Sequence, residues 1–218
     1  MYNKALLSQA ANEARLEMDL FDPISLHIGT FQNDRLVGCS RLTQPKSLSI
    51  FLERERSLKD ARRREQIEFD ERSLPSSAFL EDRNLLKLEY FLEGIKFSGK
   101  RFSEAGRFIH TSNTFNPRLV AHMLGYIWAL NAYYEIDYCF FNTTKAHAKY
   151  YTRLFGCKAI LPELRFNTGA KSEKYFLYAD IKNPPRTQFR LIKKILDAFE
   201  KNEGPAAISI KHVLKKAS

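Results

Sequence analysis

Apolar positions along the chain recur at two periods, and the alternation between them predicts the elements. Ser25–Phe31 (SLHIGTF) and Arg35–Leu42 (RLVGCSRL) alternate at the strand period around a QND turn, which predicts a hairpin. Residues 101–111 (RFSEAGRFIHT) carry apolar anchors at Phe102, Ala105, Phe108 and Ile109 and predict a buried strand. Asn116 followed by Pro117 predicts a helix start, and Leu119, Met123, Ile127 and Leu130 form one stripe of the helix that follows. Residues 136–142 (IDYCFFN) are continuously apolar, as suits a strand covered on both faces. The spacing predicts a further helix over 143–156, closed by Gly156, then strands at 157–166 and 174–181. Residues 187–202 read as a last helix, ahead of a Gly-Pro break and a short basic segment.

The stretch between the hairpin and strand 101–111 has another character. Residues 47–72 are helical in pattern, highly charged and sparse in apolar positions, and a short helix is expected at 2–16. Residues 79–94 predict an amphipathic helix stopped by Gly94. Residues 46–100 therefore read as a helical insertion in a domain of residues 1–182, with 183–218 as a basic C-terminal helical tail. A strand, a long helix and a strand in succession require a parallel pair with a right-handed crossover. The two hairpins would be antiparallel. The expected fold is α/β (α+β): a mixed, mostly antiparallel central sheet with helices on both faces.

Charge narrows the partners. The 218 residues hold 35 Lys/Arg against 25 Asp/Glu, a net charge of +10. Residues 52–72 contribute nothing net, whereas 144–174 hold seven basic side chains against two acidic, and 182–218 hold nine against three. An acidic partner is implied: nucleic acid, anionic lipid or an acidic protein. Three widely spaced cysteines make neither a metal signature nor a disulfide framework and point to a reducing, cytoplasmic setting. No run is apolar enough to span a membrane, and no metal-ligand spacing is found among the histidines.

Candidate chemistry gathers on the buried strand. Glu104 and Arg107 are charges in an apolar context, costly unless each is matched. A structural ion pair accounts for them as well as a site does. In a regular strand, residues three apart face opposite ways, so both serve one site only if the strand is bulged, and Gly106 suits such a place. Glu17, Asp19 and Asp22 crowd three negative charges into six residues, and Arg41 and Arg107 are the expected counter-charges.

These residues resemble a family. Glu17–Asp22 fits E-x-D-x-x-D, Gly38–Leu42 fits G-x-x-R-L, and Glu104–Phe108 fits E-x-S-R-F with Gly106 in place of serine. Three motifs in that order resemble the acyl-homoserine-lactone (autoinducer) synthases and N-acyl amino acid synthases of the GNAT acyltransferase superfamily. His27 and the helix HAKYYTRLFG look more like the amino acid synthases. The resemblance implies an N-acyltransferase that moves a fatty acyl group from an acyl carrier protein or acyl-CoA thioester to an amino acid amine. It implies Glu104 as base, Arg107 and the backbone at Gly106 beside the thioester, and Tyr151 (or Tyr150) as donor to the leaving thiolate. It further implies Glu17, Asp19, Asp22, Arg41 and Phe108 around the acceptor, with Asn116 and Arg118 at the donor phosphate. The loop before Asn116 has no glycine, which suits the single phosphate of a carrier-protein donor, and that protein is acidic. No tightly bound cofactor is expected. Two alternatives remain: a homoserine-lactone synthase using S-adenosylmethionine, and a non-catalytic basic module binding through residues 182–218.

Overall fold

The computed structural model describes residues 25–32, 34–43, 74–76, 80, 82–110, 117–161, 164–165, 171–172, 174–205 and 207. The expected helices at 2–16 and 47–72 lie outside these residues, as do Glu17, Asp19, Asp22 and Asn116. Eight strands are described: β1 (Ser25–Gln32), β2 (Arg35–Thr43), β3 (Phe102–His110), β4 (Tyr138–Thr144), β5 (Lys158–Leu161), β6 (Leu164–Arg165), β7 (Lys171–Ser172) and β8 (Lys174–Asp180). Four helices accompany them: α1 (Asp82–Phe97), α2 (Pro117–Tyr133), α3 (Lys145–Phe155) and α4 (Arg186–Lys201).

Six strands form one sheet in the order β1-β2-β3-β4-β8-β5, and β6 and β7 pair as a small ribbon. Only β3 and β4 run parallel within the sheet; every other neighbouring pair is antiparallel. The parallel pair flanks α2, as a crossover requires. The expected mixed, mostly antiparallel sheet is thus present.

Side-chain alternation gives the sheet two faces with separate cores. Leu42, Ala105, Cys139, Phe141, Leu177 and Ala179 face α2, α3 and α4, where Trp128, Tyr151, Phe155, Ile192, Ile195 and Phe199 complete a buried cluster. Phe102, Phe140 and Phe176 face the other way and pack on Leu88, Leu92 and Ile95 of α1 and on Leu74 and Leu80.

One element reading needs correction. Gly94 does not stop α1, which continues to Phe97. The stop is Gly99, at φ 69°, with Gly99 N–H donating to Lys96 O (2.9 Å) and Lys100 N–H to Ile95 O (3.2 Å). That left-handed closing pattern needs the glycine five residues further on. Residues 186–201, expected as the helix of a basic C-terminal tail, form that helix and pack on the domain. Their apolar stripe, Ile192, Ile195 and Phe199, is buried against α2, and Leu191 lies so close to Gly125 that a Cβ there would come within 2.8 Å of it. The helix was legible from its period; its docking depends on a partner surface 60 residues earlier.

Candidate functional site

The site is built where β3 and β4 part. Their parallel pairing is limited to Phe102↔Tyr138, Ser103↔Cys139 and Glu104↔Phe140. Beyond Glu104, β3 stays with β2 as far as His110↔Gly38, while β4 stays with β8 as far as Thr144↔Lys174. Among the described residues, the inner edges of 105–110 and 141–144 therefore have no strand neighbour across the opening. Strand edges left in this way are ready to pair with another extended chain.

A bulge sits on the β3 edge of this split. Cys39 pairs with Ile109 and Arg41 with Gly106, so Arg107 and Phe108 together oppose Ser40. Ser40 Oγ fixes the place by donating to Gly106 O (3.1 Å). The left-handed residue is Arg107, at φ 52°, rather than Gly106. A side chain in that region is strained by about 1 kcal/mol or more. The bulge re-aims Arg107: its charge is felt at the Cys39 thiol, which shares the α1 face with Arg41 and Glu104. Burial raises the Cys39 pKa and Arg107 opposes it.

Cross-strand pairing places the remaining residues. Glu104 lies opposite Thr43, Arg41 opposite Gly106, and His27 opposite Arg41, all on the α1 face. Arg41 and Glu104 are both buried, at 5% and 3% exposure. Both carboxylate oxygens of Glu104 accept from Ser76: the backbone N–H donates to Oε2 (3.0 Å) and Oγ to Oε1 (2.5 Å). Asn142 Nδ2, on the β4 side of the split, donates to Ser76 Oγ (2.7 Å). Ser76 and Asn142 were missed in the sequence. Ser76 stands in what reads as a break, and no local spacing ties a turn at 74–76 to a strand 28 residues on.

Phe108 is half-buried and packs on the α2-side core. Tyr151 is buried there too, its ring edge-on to Phe141 (5.5 Å between centroids) and stacked on His147 (6.1 Å). Tyr150 is the more exposed of the two tyrosines, and its hydroxyl donates to Pro117 O (2.8 Å), tying α3 to the start of α2. Arg118 is exposed in the first turn of α2, and its carbonyl lies 2.7 Å from His122 Nδ1. The split thus brings Glu104, Gly106, Arg107 and Arg41 together on its α1 side, with Phe108 and Tyr151 on the α2 side.

Both strands run from the split into helix N-termini. Thr144 caps α3 by accepting from His147 N–H (3.4 Å), and α2 begins seven residues after His110. Helix N-termini favour anions. Neither α2 nor α3 contains an acidic residue. Lys145, Lys149 and Arg153 are exposed at four-residue spacing along α3, one face of the helix. Thr187 Oγ1 donates to Leu154 O (3.2 Å), which brings the exposed Arg186 and Arg190 of α4 to the end of that row.

Below the split, on the α2 side, lies a small apolar cavity of about 20 Å³ lined by Ala105, Leu124, Trp128, Cys139, Phe141 and Phe155, among others. Trp128 Nε1 is held by Ile181 O (3.0 Å). Burial pushes the Cys139 thiol up to about 11, so it stays a packed, protonated group. Among the described residues no three His, Cys, Asp or Glu side chains gather as a metal site, and no helix is long and apolar enough to cross a membrane.

No protein-family model and no curated protein matches the sequence. Solved structures do. FeeM, an N-acyl amino acid synthase from uncultured soil microbes, is 13% identical, with a TM-score of 0.53 over 83% of this chain and 89% of its own. BjaI, a CoA-dependent acyl-homoserine lactone synthase solved with SAM and isopentyl-CoA, is 10% identical, with a TM-score of 0.49 over 94% of this chain and 78% of its own. LasI, an AHL synthase, is 13% identical, with a TM-score of 0.49 over 86% and 88%. At such identity the likeness to FeeM speaks for architecture alone. The chain has the GNAT-like fold that its motifs imply.

Proposed function

We propose that the protein is an N-acyltransferase, moving an acyl group from a phosphopantetheine thioester to the amine of an amino acid or related small molecule. The observation that carries this reading is the end of the β3–β4 ladder at Glu104. Among the described residues it leaves two strand edges without a strand neighbour across the opening, beside a buried carboxylate and a bulge. A pantetheine arm is extended and carries amides, so it can lie between such edges as an added strand does. Its phosphate then falls at the N-termini of α2 and α3, with Arg118 within the first turn.

Attack on the thioester carbonyl puts negative charge on its oxygen, which a fixed backbone N–H at the bulge is suited to stabilise. The attacking amine loses a proton, and Glu104 is the base that accepts it. Arg41 and Arg107 suit the carboxylate of an amino acid acceptor, since guanidinium binds carboxylate in a two-point fork. Glu17, Asp19 and Asp22 would complete the acceptor side around the ammonium. Collapse of the tetrahedral intermediate expels the pantetheine thiolate, and Tyr151, against Phe141, is the candidate donor of its proton. The apolar cavity below has room for little more than a methyl group, so an acyl chain entering there would have to push its lining side chains apart.

The basic row of α3 and the start of α4 beside the mouth favours an acidic carrier protein as donor over free acyl-CoA. The test is direct. The purified protein is mixed with acyl carrier protein or CoA loaded with a range of acyl chains, an amino acid mixture and S-adenosylmethionine, and the products are read by mass spectrometry. An N-acyl amino acid that disappears in Glu104→Gln supports the proposal. An acyl lactone moves the acceptor to S-adenosylmethionine, and no product from folded protein rejects the reading.

A further inference from the structure

We propose that Ser76 is a positioning residue for Glu104, a role that rests on the function proposed above. The turn at 74–76 is not a passive surface. Leu74 is fully buried in the α1-side core and Ser76 is only 5% exposed, so the serine is held from beneath. From there it makes contacts to both strands at the apex of the split. Its N–H and hydroxyl take the two oxygens of Glu104 on β3, at 3.0 and 2.5 Å. Its Oγ in turn accepts from Asn142 on β4, at 2.7 Å. Phe140 is the last β4 residue paired with β3, and Asn142 is the next on the same face.

The direction of the hydroxyl proton follows from this arrangement. Asn142 Nδ2 only donates, so it occupies a lone pair of Ser76 Oγ, and the hydroxyl hydrogen points at Glu104. A carboxylate gripped at both oxygens cannot rotate. Its remaining lone pairs keep one direction, and a base must lie within hydrogen-bond reach of the proton that it takes. Where pairing of the two strands ends, a side-chain bridge takes over from the backbone ladder and sets how Glu104 on β3 lies relative to β4.

The test compares Ser76→Ala with the unchanged protein in the acylation assay, over a range of pH. Other charged and titratable groups on this face are His27 of β1, Cys39 and Arg41 of β2, Arg107 of β3, Tyr138 of β4, Lys174, Tyr178 and Asp180 of β8 and Lys158 of β5, with Cys139 of β4 behind. The described inward side chains of α1, Asn84, Leu88, Leu92 and Ile95, carry no charge. These groups are the same in both proteins. Loss of one donor to the carboxylate should therefore move the acid limb of the kcat profile to higher pH. A base set slightly out of place should lower kcat roughly 10–100-fold, with KM for the acyl donor within about twofold. Folded Ser76→Ala with unchanged kcat and unchanged acid limb would overturn the role. If Ser76→Ala does not fold, Asn142→Ala carries the test, because it frees the hydroxyl from its fixed direction. It should lower kcat with a smaller shift of the limb in the same direction, because both Ser76 donors remain, and no change in either counts against the proposal equally. Absence of product from the unchanged protein would instead reject the acyltransferase reading itself.

Discussion

Arg107 holds a left-handed backbone conformation in the middle of a strand, and that costs stability. Arg107→Gly and Arg107→Ala remove the same guanidinium but differ in what the backbone tolerates. The glycine variant should be the more stable by about 1 kcal/mol in urea unfolding, and both should lose acyl transfer. Equal stability would mean that the bulge is not strained at this residue. The requirement for a bulge was legible in the sequence, because Glu104 and Arg107 could not otherwise share a face. Its hinge was not. Gly106 is the residue that propensity would choose, yet the turn falls one position later, where the pairing with Arg41 and the Ser40 bond to Gly106 O set the register.

At the scale of elements, Asp137 joins three strands at the narrow end of the split. Its Oδ2 accepts from Arg101 N–H (2.8 Å) before β3, its Oδ1 meets Lys182 Nζ (2.6 Å) after β8, and its own backbone bonds to both neighbours. Burial works to raise its pKa, but the bonds from Lys182 and Arg101 prevail and hold the carboxyl below its usual value. A lowered folded-state pKa contributes stability in full above the ordinary carboxylate range and loses it as pH falls through the folded value. Asp137→Asn should therefore flatten the decline of stability below about pH 4, read by urea unfolding at several pH values. An unchanged acid slope would show that the carboxylate does not bind its partners more tightly when charged. The helix α4 carries a second prediction. Phe199 is fully buried, so Phe199→Ala should cost about 3–5 kcal/mol, and a chain ending before Arg186 should not fold. A folded, cooperative protein without α4 would support the reading of residues 183–218 as a tail. Both interactions were hidden for one reason: a helical or strand period shows which face is apolar but not what covers it.

For the whole molecule, charge distribution is the property read most fully from sequence, because counting needs no geometry. Its meaning depends on placement. Part of the basic excess of residues 144–174 and 182–218 becomes an exposed row beside the wide end of the split, formed by Lys145, Lys149 and Arg153 with Arg186 and Arg190. An acidic donor protein docking there should associate faster at low salt. Lys149→Glu with Arg153→Glu should raise KM for a carrier-protein donor about tenfold or more while leaving kcat and the KM for acyl-CoA nearly unchanged. Equal effects on both donors would place the carrier protein elsewhere. The acidic motif at Glu17–Asp22 is the largest part of the site that the sequence names and the described residues do not include. A crystal structure with a non-hydrolysable acyl-pantetheine thioether would show whether the opening between β3 and β4 receives the acyl donor. The arm should lie between residues 105–108 and 141–144, with its sulfur beside the Arg107 bulge and Glu104; an arm bound outside that opening would contradict the proposed donor site.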